Sequence, residues 1–272
     1  MAKIEDKALR PLTVVSLGQK DILFVSDAHL GSGADSRERE RELCLLLAEK
    51  VRPGMAVVLL GDMVDFWFSY RYTVPRGFSR LIGKLSELCD SGVEIHYFTG
   101  NHDMWMFSYL TEECGLTLHT DEAVLEAAGK RFLVGHGDAQ GSPDRMFKLW
   151  RRMFRSHFNQ RLFALLPPAL TFPIAHRWSD HNKRRHLCQG PARYLGAERE
   201  GIVRYCQARL QVEHYDYCVF GHRHTPVATA IAPGSTYVNL GDWLYRRNYA
   251  LFSAESGLLT LHDRHEECGR KD

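Results

Sequence analysis

The sequence predicts a layered α/β fold interrupted by an inserted helical cap. Apolar strand-like runs alternate with helix-like stretches up to about residue 140, and shorter strands follow residue 221. Between the two parts lies a helical segment with a proline-containing break. A length of 272 residues fits one catalytic α/β domain with an insertion. We therefore expect a core at residues 1–140 and 192–272 and a cap at residues 141–191.

Apolar, β-branched runs bounded by turn residues define the buried strands. We expect them at Ile22–Ser26, Ala56–Leu60, Val93–Thr99, Arg131–Gly135 and Tyr217–Gly221. Helices are expected at Ser36–Val51, Gly77–Asp90 and Ala192–Glu213. A further sheet packed on the first is expected from four short strands, Val227–Ile231, Thr236–Leu240, Tyr249–Ser253 and Leu258–His262. The last ten residues, from Asp263 onwards, are polar and are expected to be frayed.

Composition limits the class of protein. A hydrophobic fraction of 44%, a charged fraction of 25% and a net charge of +2 are typical of a soluble protein that does not bind nucleic acid through its overall charge. The seven cysteines are scattered and form no CxxC pair, which argues against a disulfide framework or a thiolate zinc site and favours the cytosol. We expect neither export nor a membrane span, because no apolar signal region or run of about 18 apolar residues is present.

A polar cluster follows each of the five expected buried strands. The clusters are Asp27-Ala28-His29, Gly61-Asp62-Met63-Val64-Asp65, Gly100-Asn101-His102-Asp103, Gly135-His136-Gly137-Asp138 and Gly221-His222-Arg223-His224. Side chains two residues apart lie on the same side of an extended chain, which pairs Asp27 with His29 and likewise His222 with His224. Carboxylate, amide and imidazole donors suit divalent ions such as manganese, iron or zinc. One carboxylate, Asp62, can bridge two ions about 3.5–4 Å apart, the spacing that two-metal hydrolases use.

Each of these residues also has an ordinary structural interpretation. A single Asp or His at a strand end is more often a turn former, and only the five clusters taken together favour a metal site. His102 could simply pack beside the site, and Asp65 and Asp103 could cap helices. The aromatic residues after the third cluster, Trp105, Phe107 and Tyr109, are interpreted as core packing, although an aromatic beside the site could also stack on a base. Cys206 and Cys218 are likewise interpreted as core residues.

In order and spacing, the five clusters resemble the calcineurin-like metallophosphoesterase pattern of DxH, GDxxD, GNHD, a His before Gly, and GHxH. The resemblance implies a four-layer α/β/β/α sandwich and a hydrolase that uses two divalent ions, manganese first, with iron, zinc or magnesium as alternatives. It implies one ion bound by Asp27, His29, Asp62 and His224, and a second bound by Asp62, Asn101, His136 and His222. It assigns His102 to stabilising the transition state or protonating the leaving group, and assigns Asp65 and Asp103 to orienting imidazoles.

The expected cap is basic and apolar. From Arg145 to His186 it has ten basic residues and one acidic residue, and it contains the apolar stretch Leu162–Ile174, broken at Pro167-Pro168. The runs HGDAQGSPDRMFKLWRRMFR and WSDHNKRR resemble the branch of the family that hydrolyses UDP-2,3-diacylglucosamine in lipid A synthesis. That resemblance implies substrate contacts from Asp144, Phe147, Ser179, Lys183 and Arg184. Two positions depart from the branch, which often has tyrosine at Phe147 and arginine at His102.

The branch resemblance implies that water attacks the α-phosphorus of the diphosphate and releases UMP and 2,3-diacylglucosamine 1-phosphate. A cap that is both basic and apolar favours an anionic membrane surface, which implies a cytoplasmic protein at the inner face of the inner membrane. Three alternatives stay open: a solvated cap without a lipid role, a phosphoesterase for soluble nucleotides or phosphodiesters, and a non-catalytic binding module. No obligate protein partner is inferred.

Overall fold

The computed structural model describes residues 10–138, 140, 149, 152–175, 177 and 193–269. Its strands are β1 Thr13–Gly18, β2 Ile22–Val25, β3 Ala56–Leu59, β4 Glu94–Phe98, β5 Thr117–His119, β6 Ala123–Ala127, β7 Lys130–Gly135, β8 Tyr217–Phe220, β9 Val227–Ala232, β10 Ser235–Asn239, β11 Asn248–Ser253 and β12 Leu258–Asp263. Its helices are α1 Ser36–Lys50, α2 Ser79–Asp90, α3 Tyr109–Cys114, α4 His157–Ala164, α5 Gly201–Leu210 and α6 Arg264–Gly269. A further helical run spans 168–175.

Within the described residues, these strands form two six-stranded sheets. One has the order β12-β11-β2-β3-β4-β5, and the other has the order β1-β6-β7-β8-β10-β9. Strands β2 to β5 run parallel, as do β7, β8 and β10. The carboxyl ends of parallel neighbours meet at one edge of a sheet, so the residues that follow these strands are brought together.

Alternating side chains of the strands build a four-layer α/β/β/α arrangement. In β2, Leu23 and Val25 pack with residues of α1 and α2, whereas Ile22 and Phe24 pack between the sheets with residues of β6, β7 and β8. Helix α5 covers the outer face of the second sheet with Ile202, Val203, Tyr205 and Cys206. The period of two along β2 therefore separates two hydrophobic cores, one on each face of the first sheet.

Three expectations about elements were wrong. The four strands after Gly221 do not form a sheet of their own, because β9 and β10 extend the β7–β8 sheet while β11 and β12 extend the β2 sheet. The helix expected from Ala192 begins at Gly201, and residues 193–200 are not helical: they contain a turn at 197–199, and Glu200 accepts a hydrogen bond from the Leu195 amide. In the C-terminal segment expected to be frayed, Arg264–Gly269 form α6, which Arg264 ties to Glu49 of α1, and residues 270–272 lie outside the described residues.

The described part of the cap is largely helical, with breaks at residues 155–156 and 165–167. Its inner side chains pack on the core through aromatic rings: Phe163 contacts Phe66, and Phe172 contacts Phe66 and Tyr70. The Tyr70 hydroxyl also lies 2.6 Å from the hydroxyl of Thr171. Trp105 packs in the same cluster and is 9% exposed, as expected for a core aromatic. Among the described residues, every helix is too short or too polar to cross a membrane.

Candidate metal centre

The five polar clusters meet where β2, β3, β4, β7 and β8 end. Backbone hydrogen bonds join the loops directly: the Asp27 amide donates to the Gly61 carbonyl at 3.0 Å, and the His29 amide donates to the Asp62 carbonyl at 2.9 Å. Across to the second sheet, the Gly221 amide donates to the His136 carbonyl at 3.0 Å. The two sheets therefore contribute to a single site.

The backbone at this site adopts a conformation that non-glycine residues seldom take. Positive φ angles occur at Asp27 (53°), His29 (42°), Asp62 (51°), His222 (66°) and His224 (49°). Each such residue is strained by about 1–3 kcal/mol, and such strain persists only where the surroundings hold it. Its concentration at five candidate ligands indicates a site selected for function rather than for local stability.

Two groups of ligand atoms form within the cluster. Half-site A consists of Asp27, His29 and His224, and half-site B consists of Asp62, His136 and His222. In each group the ligand atoms lie within 4.8 Å of one another. The Asn101 Oδ1 lies 3.3 Å from His136 Nε2, which places this amide at half-site B.

Asp62 lies between the half-sites. Its Oδ1 accepts a hydrogen bond from the His102 amide at 2.8 Å. Its Oδ2 lies 3.2 Å from His136 Nε2 and 3.9 Å from His29 Nε2. The same carboxylate therefore braces a loop with one oxygen and presents the other to histidines of both half-sites, which is the position that a bridging ligand requires.

Asp27 also holds a loop with one carboxylate oxygen and faces a histidine with the other. Its Oδ2 accepts a hydrogen bond from the His222 amide at 2.9 Å, and its Oδ1 lies 3.3 Å from His224 Nε2. Glycine is needed on both sides of this arrangement, because a Cβ at Gly221 would lie 2.4 Å from Asp27 Oδ2 and a Cβ at Gly100 would lie 2.2 Å from Asp62 Oδ1. These close approaches explain the glycines that begin two of the clusters.

Two of the imidazoles have an oxygen atom close to Nδ1. His136 Nδ1 donates to the Leu60 carbonyl at 2.8 Å, and this contact directs Nε2 towards Asp62 and Asn101. His29 Nδ1 faces Asp65 Oδ1 at 3.4 Å. Asp65 therefore lies where a carboxylate can orient a metal-bound histidine.

His102 stands beside the two half-sites. Its ligand atom belongs to a third group with those of His29 and Asp62. Its Nδ1 donates to the Asp65 carbonyl at 2.9 Å, and the side chain is 21% exposed. The ring is therefore held by a hydrogen bond and remains partly accessible to solvent.

The pKa values reflect burial and the opposed charges of the cluster. Burial opposes ionisation of Asp62, but His136, His102 and His29 outweigh it and hold its pKa well below the usual value. For His136, the carboxylates of Asp62 and Asp27 outweigh burial and raise the pKa well above the usual value. Burial lowers the pKa of His29 to about 3, and desolvation together with His136 lowers the pKa of His222 to about 3. His29 and His222 are therefore neutral at physiological pH, which is the form that binds metal.

The residues at this site fit bound cations. Asp27 Oδ1 and His29 Nε2 are buried and have no hydrogen-bond partner within the described part of the chain. Burying such atoms without a partner is costly, and a cation between them removes that cost. The oxygen and nitrogen donors belong to the types preferred by manganese, iron and zinc.

Asp103, expected to orient an imidazole, has a different set of contacts. It accepts hydrogen bonds from the Gly100 amide at 2.7 Å, the Met63 amide at 2.9 Å and the Tyr97 hydroxyl at 2.6 Å. Among the described residues, no imidazole donates to it. Asp103 ties the loops after β3 and β4 together. The expected substrate contacts Asp144, Phe147, Ser179, Lys183 and Arg184 lie outside the described residues.

Two residues at the site were missed from the sequence. The Asp242 carboxylate is 2% exposed and its Oδ2 lies 3.8 Å from His224 Nδ1. Asn239 donates to the Gly221 carbonyl at 2.6 Å and so holds the loop that carries His222 and His224. Both belong to Asn239-Leu240-Gly241-Asp242 at the end of β10, where the strand-then-Gly-Asp pattern of Asp62 recurs and could have revealed them.

This geometry fits a metal-dependent hydrolase whose candidate ligands come from both sheets of an α/β sandwich. The chain belongs to the calcineurin-like phosphoesterase family, whose model matches residues 20–226. A UDP-2,3-diacylglucosamine hydrolase from Porphyromonas gingivalis is 38% identical over 88% of this chain and 96% of its own length. A protein with the same name from Nitrosococcus oceani is 25% identical over 81% and 86%. Among solved structures, a dimetal phosphatase from Danio rerio matches with a TM-score of 0.44 and 14% identity, covering 90% of this chain and 95% of that one.

Proposed function

We propose that this chain hydrolyses the diphosphate of UDP-2,3-diacylglucosamine during lipid A synthesis. The observation that carries the proposal is the packing of apolar cap helices on the segment that leaves the metal centre. Phe66, which contacts Phe163 and Phe172 of the cap, directly follows Asp65, whose carboxylate faces His29. A site for phosphate chemistry beside apolar helices suits a substrate with a charged diphosphate and acyl chains. The names of relatives that match most of this chain support the same substrate.

The proposed ligand set follows the two half-sites. One ion would be held by Asp27, His29, Asp62 and His224, and the other by Asp62, Asn101, His136 and His222. We propose Mn²⁺ as the working ion, because these oxygen and imidazole donors suit it, as they also suit iron and zinc. When bound, two such ions bind phosphoryl oxygens and lower the pKa of a water molecule towards neutrality.

The chain's own residues complete the chemistry. The hydrogen bond from His102 Nδ1 to the Asp65 carbonyl fixes the ring and turns Nε2 away from that carbonyl. From there the ring can donate a hydrogen bond to a phosphoryl oxygen or a proton to the leaving group. Water attack at the α-phosphorus would break its bond to the bridging oxygen, giving UMP and 2,3-diacylglucosamine 1-phosphate. Asp144, Phe147, Ser179, Lys183 and Arg184 are the proposed substrate contacts.

We also propose that the protein works at the cytoplasmic face of the inner membrane. The outer surface of the cap exposes large apolar side chains, with exposed fractions of 75% for Phe158, 80% for Leu165 and 63% for Ile174. Arg161 and Arg177 are exposed in the same segment. Apolar side chains beside basic ones favour the surface of an anionic bilayer.

The test is turnover of UDP-2,3-diacylglucosamine by Mn²⁺-loaded protein in water enriched in ¹⁸O. Attack at the α-phosphorus predicts UMP that carries the label and a lipid phosphate that does not, read by mass spectrometry. Label in the lipid phosphate would refute the proposed point of attack. No UMP release, together with rapid hydrolysis of a soluble nucleotide or phosphodiester, would instead establish the alternative phosphoesterase.

A further inference from the structure

A guanidinium is buried directly beneath the loop that carries Asp27 and His29. Arg39, on α1, is 1% exposed. Its Nε donates to the Ala28 carbonyl at 3.3 Å, and its Nη2 donates to the His29 carbonyl at 3.1 Å and to the Ser32 carbonyl. All three acceptors belong to one short loop. Burying a charge is costly unless its donors are used, and here the donors are used on the backbone of half-site A.

The same helix turn contacts the loop after β10. The Arg39 carbonyl accepts a hydrogen bond from Trp243 Nε1 at 3.2 Å, and the Trp243 amide donates to the Asp27 carbonyl at 3.2 Å. Trp243 directly follows Asp242, whose carboxylate faces His224. Arg39 therefore bonds both to the loop that carries Asp27 and His29 and to the loop whose Asp242 faces His224.

Side-chain partners hold Arg39 in place. Its Nη1 pairs with Asp35 Oδ1 at 2.5 Å, and Asp35 Oδ2 lies 3.9 Å from a second buried guanidinium, Arg247. Arg247 also pairs with Glu42 and donates to the Trp243 carbonyl at 2.8 Å. This network fixes the direction in which the Arg39 donors point.

We propose that Arg39 is a positioning residue for the metal ion of half-site A. By binding the carbonyls of Ala28, His29 and Ser32, it holds the loop in the conformation in which Asp27 and His29 face a common ion. Both residues have positive φ angles, of 53° and 42°, which need external support. A planar guanidinium can donate to several carbonyls at once, whereas the ammonium of lysine is a point donor. The inference rests on the metal centre and is independent of the proposed substrate.

The test compares Arg39→Met and Arg39→Lys with a matched control, Arg209→Met. Arg209 is also 1% exposed, and it donates to the Arg10 carbonyl at 2.7 Å and to the Tyr215 hydroxyl at 2.8 Å. It lies on α5, outside the metal centre. Each protein is freed of metal with a chelator and titrated with Mn²⁺ by calorimetry, at a temperature at which circular dichroism shows it to be folded.

We expect Arg39→Met to weaken binding of one of two Mn²⁺ ions by at least about tenfold, the usual effect of losing a group that orients metal ligands. Arg39→Lys should weaken it less, and Arg209→Met should bind Mn²⁺ as wild type does even where its melting temperature is lower. Wild-type Mn²⁺ binding by folded Arg39→Met, or equal weakening in Arg209→Met, would overturn the inference. If Arg39→Met does not fold, wild-type binding by Arg39→Lys overturns it. Lack of activity on the lipid would leave the metal titration unaffected.

Discussion

The metal centre buries polar side chains, whereas the described part of the cap exposes large apolar ones. At the centre, Asp27, Asp62 and His136 are at most 4% exposed, and several of their atoms hold neighbouring loops. On the cap, Phe158 and Leu165 are 75% and 80% exposed. The core therefore orders its candidate ligands before substrate arrives, whereas the cap leaves large apolar side chains exposed. We therefore expect changes in the core to affect chemistry and changes in the cap to affect selectivity and surface binding.

The largest expected effect comes from removing the carboxylate between the half-sites. Asp62→Ala should reduce turnover by several orders of magnitude, because it removes the oxygen ligand that we propose the two half-sites share. The measurement is turnover together with metal content by mass spectrometry and folding by circular dichroism. As a matched control, Asp216→Ala removes a carboxylate at the opposite ends of the strands, paired with Lys130 at 2.9 Å, and should keep turnover within about twofold. Turnover near the wild-type level in Asp62→Ala would refute the bridging role.

The next effect separates chemistry from metal binding. His102→Ala should slow turnover by roughly 10²–10⁴, the usual contribution of a general acid, while both metal ions are retained. The measurement is turnover together with metal stoichiometry. Loss of a metal ion in this variant would show that His102 acts mainly as a ligand.

A smaller effect is expected from a carboxylate that faces a ligand. Asp242→Asn keeps the shape of the side chain but removes its negative charge, which faces His224 Nδ1. Such changes typically reduce metal affinity or activity by about 10–100-fold. A Mn²⁺ titration of the metal-free variant measures the effect, and excess Mn²⁺ should restore part of the activity. Wild-type affinity would mean that the contact between Asp242 and His224 contributes nothing to the site.

Changes in the cap should alter surface binding and leave the chemistry unchanged. The double change Phe158→Ser and Leu165→Ser should reduce binding to anionic vesicles by about tenfold or more, because each large apolar side chain contributes about 1.5–3 kcal/mol when buried. Turnover of a soluble aryl phosphodiester should be unchanged. Tyr72→Ser, which alters a side chain that is 86% exposed on the core, serves as the control in vesicle sedimentation. Equal vesicle binding by wild type and the double variant would exclude this surface as the membrane contact.

The smallest expected effect concerns a histidine pair away from the metal centre. His96 Nδ1 lies 3.0 Å from His119 Nε2; burial lowers the pKa of His96, and burial followed by the charge of His96 lowers that of His119 to about 4. The unfolded chain takes up these protons near pH 6.5, whereas the folded chain does not until lower pH. The free energy of unfolding should therefore fall as the pH is lowered from about 6.5 towards 4.

Urea midpoints at pH 7 and pH 5 measure this loss. The loss should be smaller in His119→Gln than in wild type, because one of the two histidines that resist protonation is gone. His214→Gln, at an exposed position, should keep the wild-type loss. An unchanged loss in His119→Gln would assign the acid sensitivity to other groups.

Much of the core could be predicted because its signals are local. The strands that precede the clusters are short apolar runs. From the order of the clusters we could predict that all seven candidate ligands lie together. Strand β1 was missed because it lies at a sheet edge with Val14 exposed, and β6 was missed because Ala123, Glu126 and Ala127 are weak strand formers. The division of the last four strands between two sheets depends on long-range pairing, which no local pattern encodes.

The contacts around the ligands were less predictable for the same reason. Asp103 was expected beside an imidazole, but its bonds go to loops that only the folded chain brings together. Arg39 looks like a surface residue in a highly charged helix, and its burial follows from the packing of the β10–β11 loop on α1.

We propose that a metal centre in the core performs hydrolysis while the apolar cap selects a lipid-linked substrate. The most direct test is the ratio of kcat/KM for UDP-2,3-diacylglucosamine to kcat/KM for UDP-glucosamine without acyl chains, both read as UMP release. We expect a ratio of at least about 100, since burial of only four methylene groups contributes about 3 kcal/mol. Equal values, or preference for the unacylated nucleotide, would contradict it.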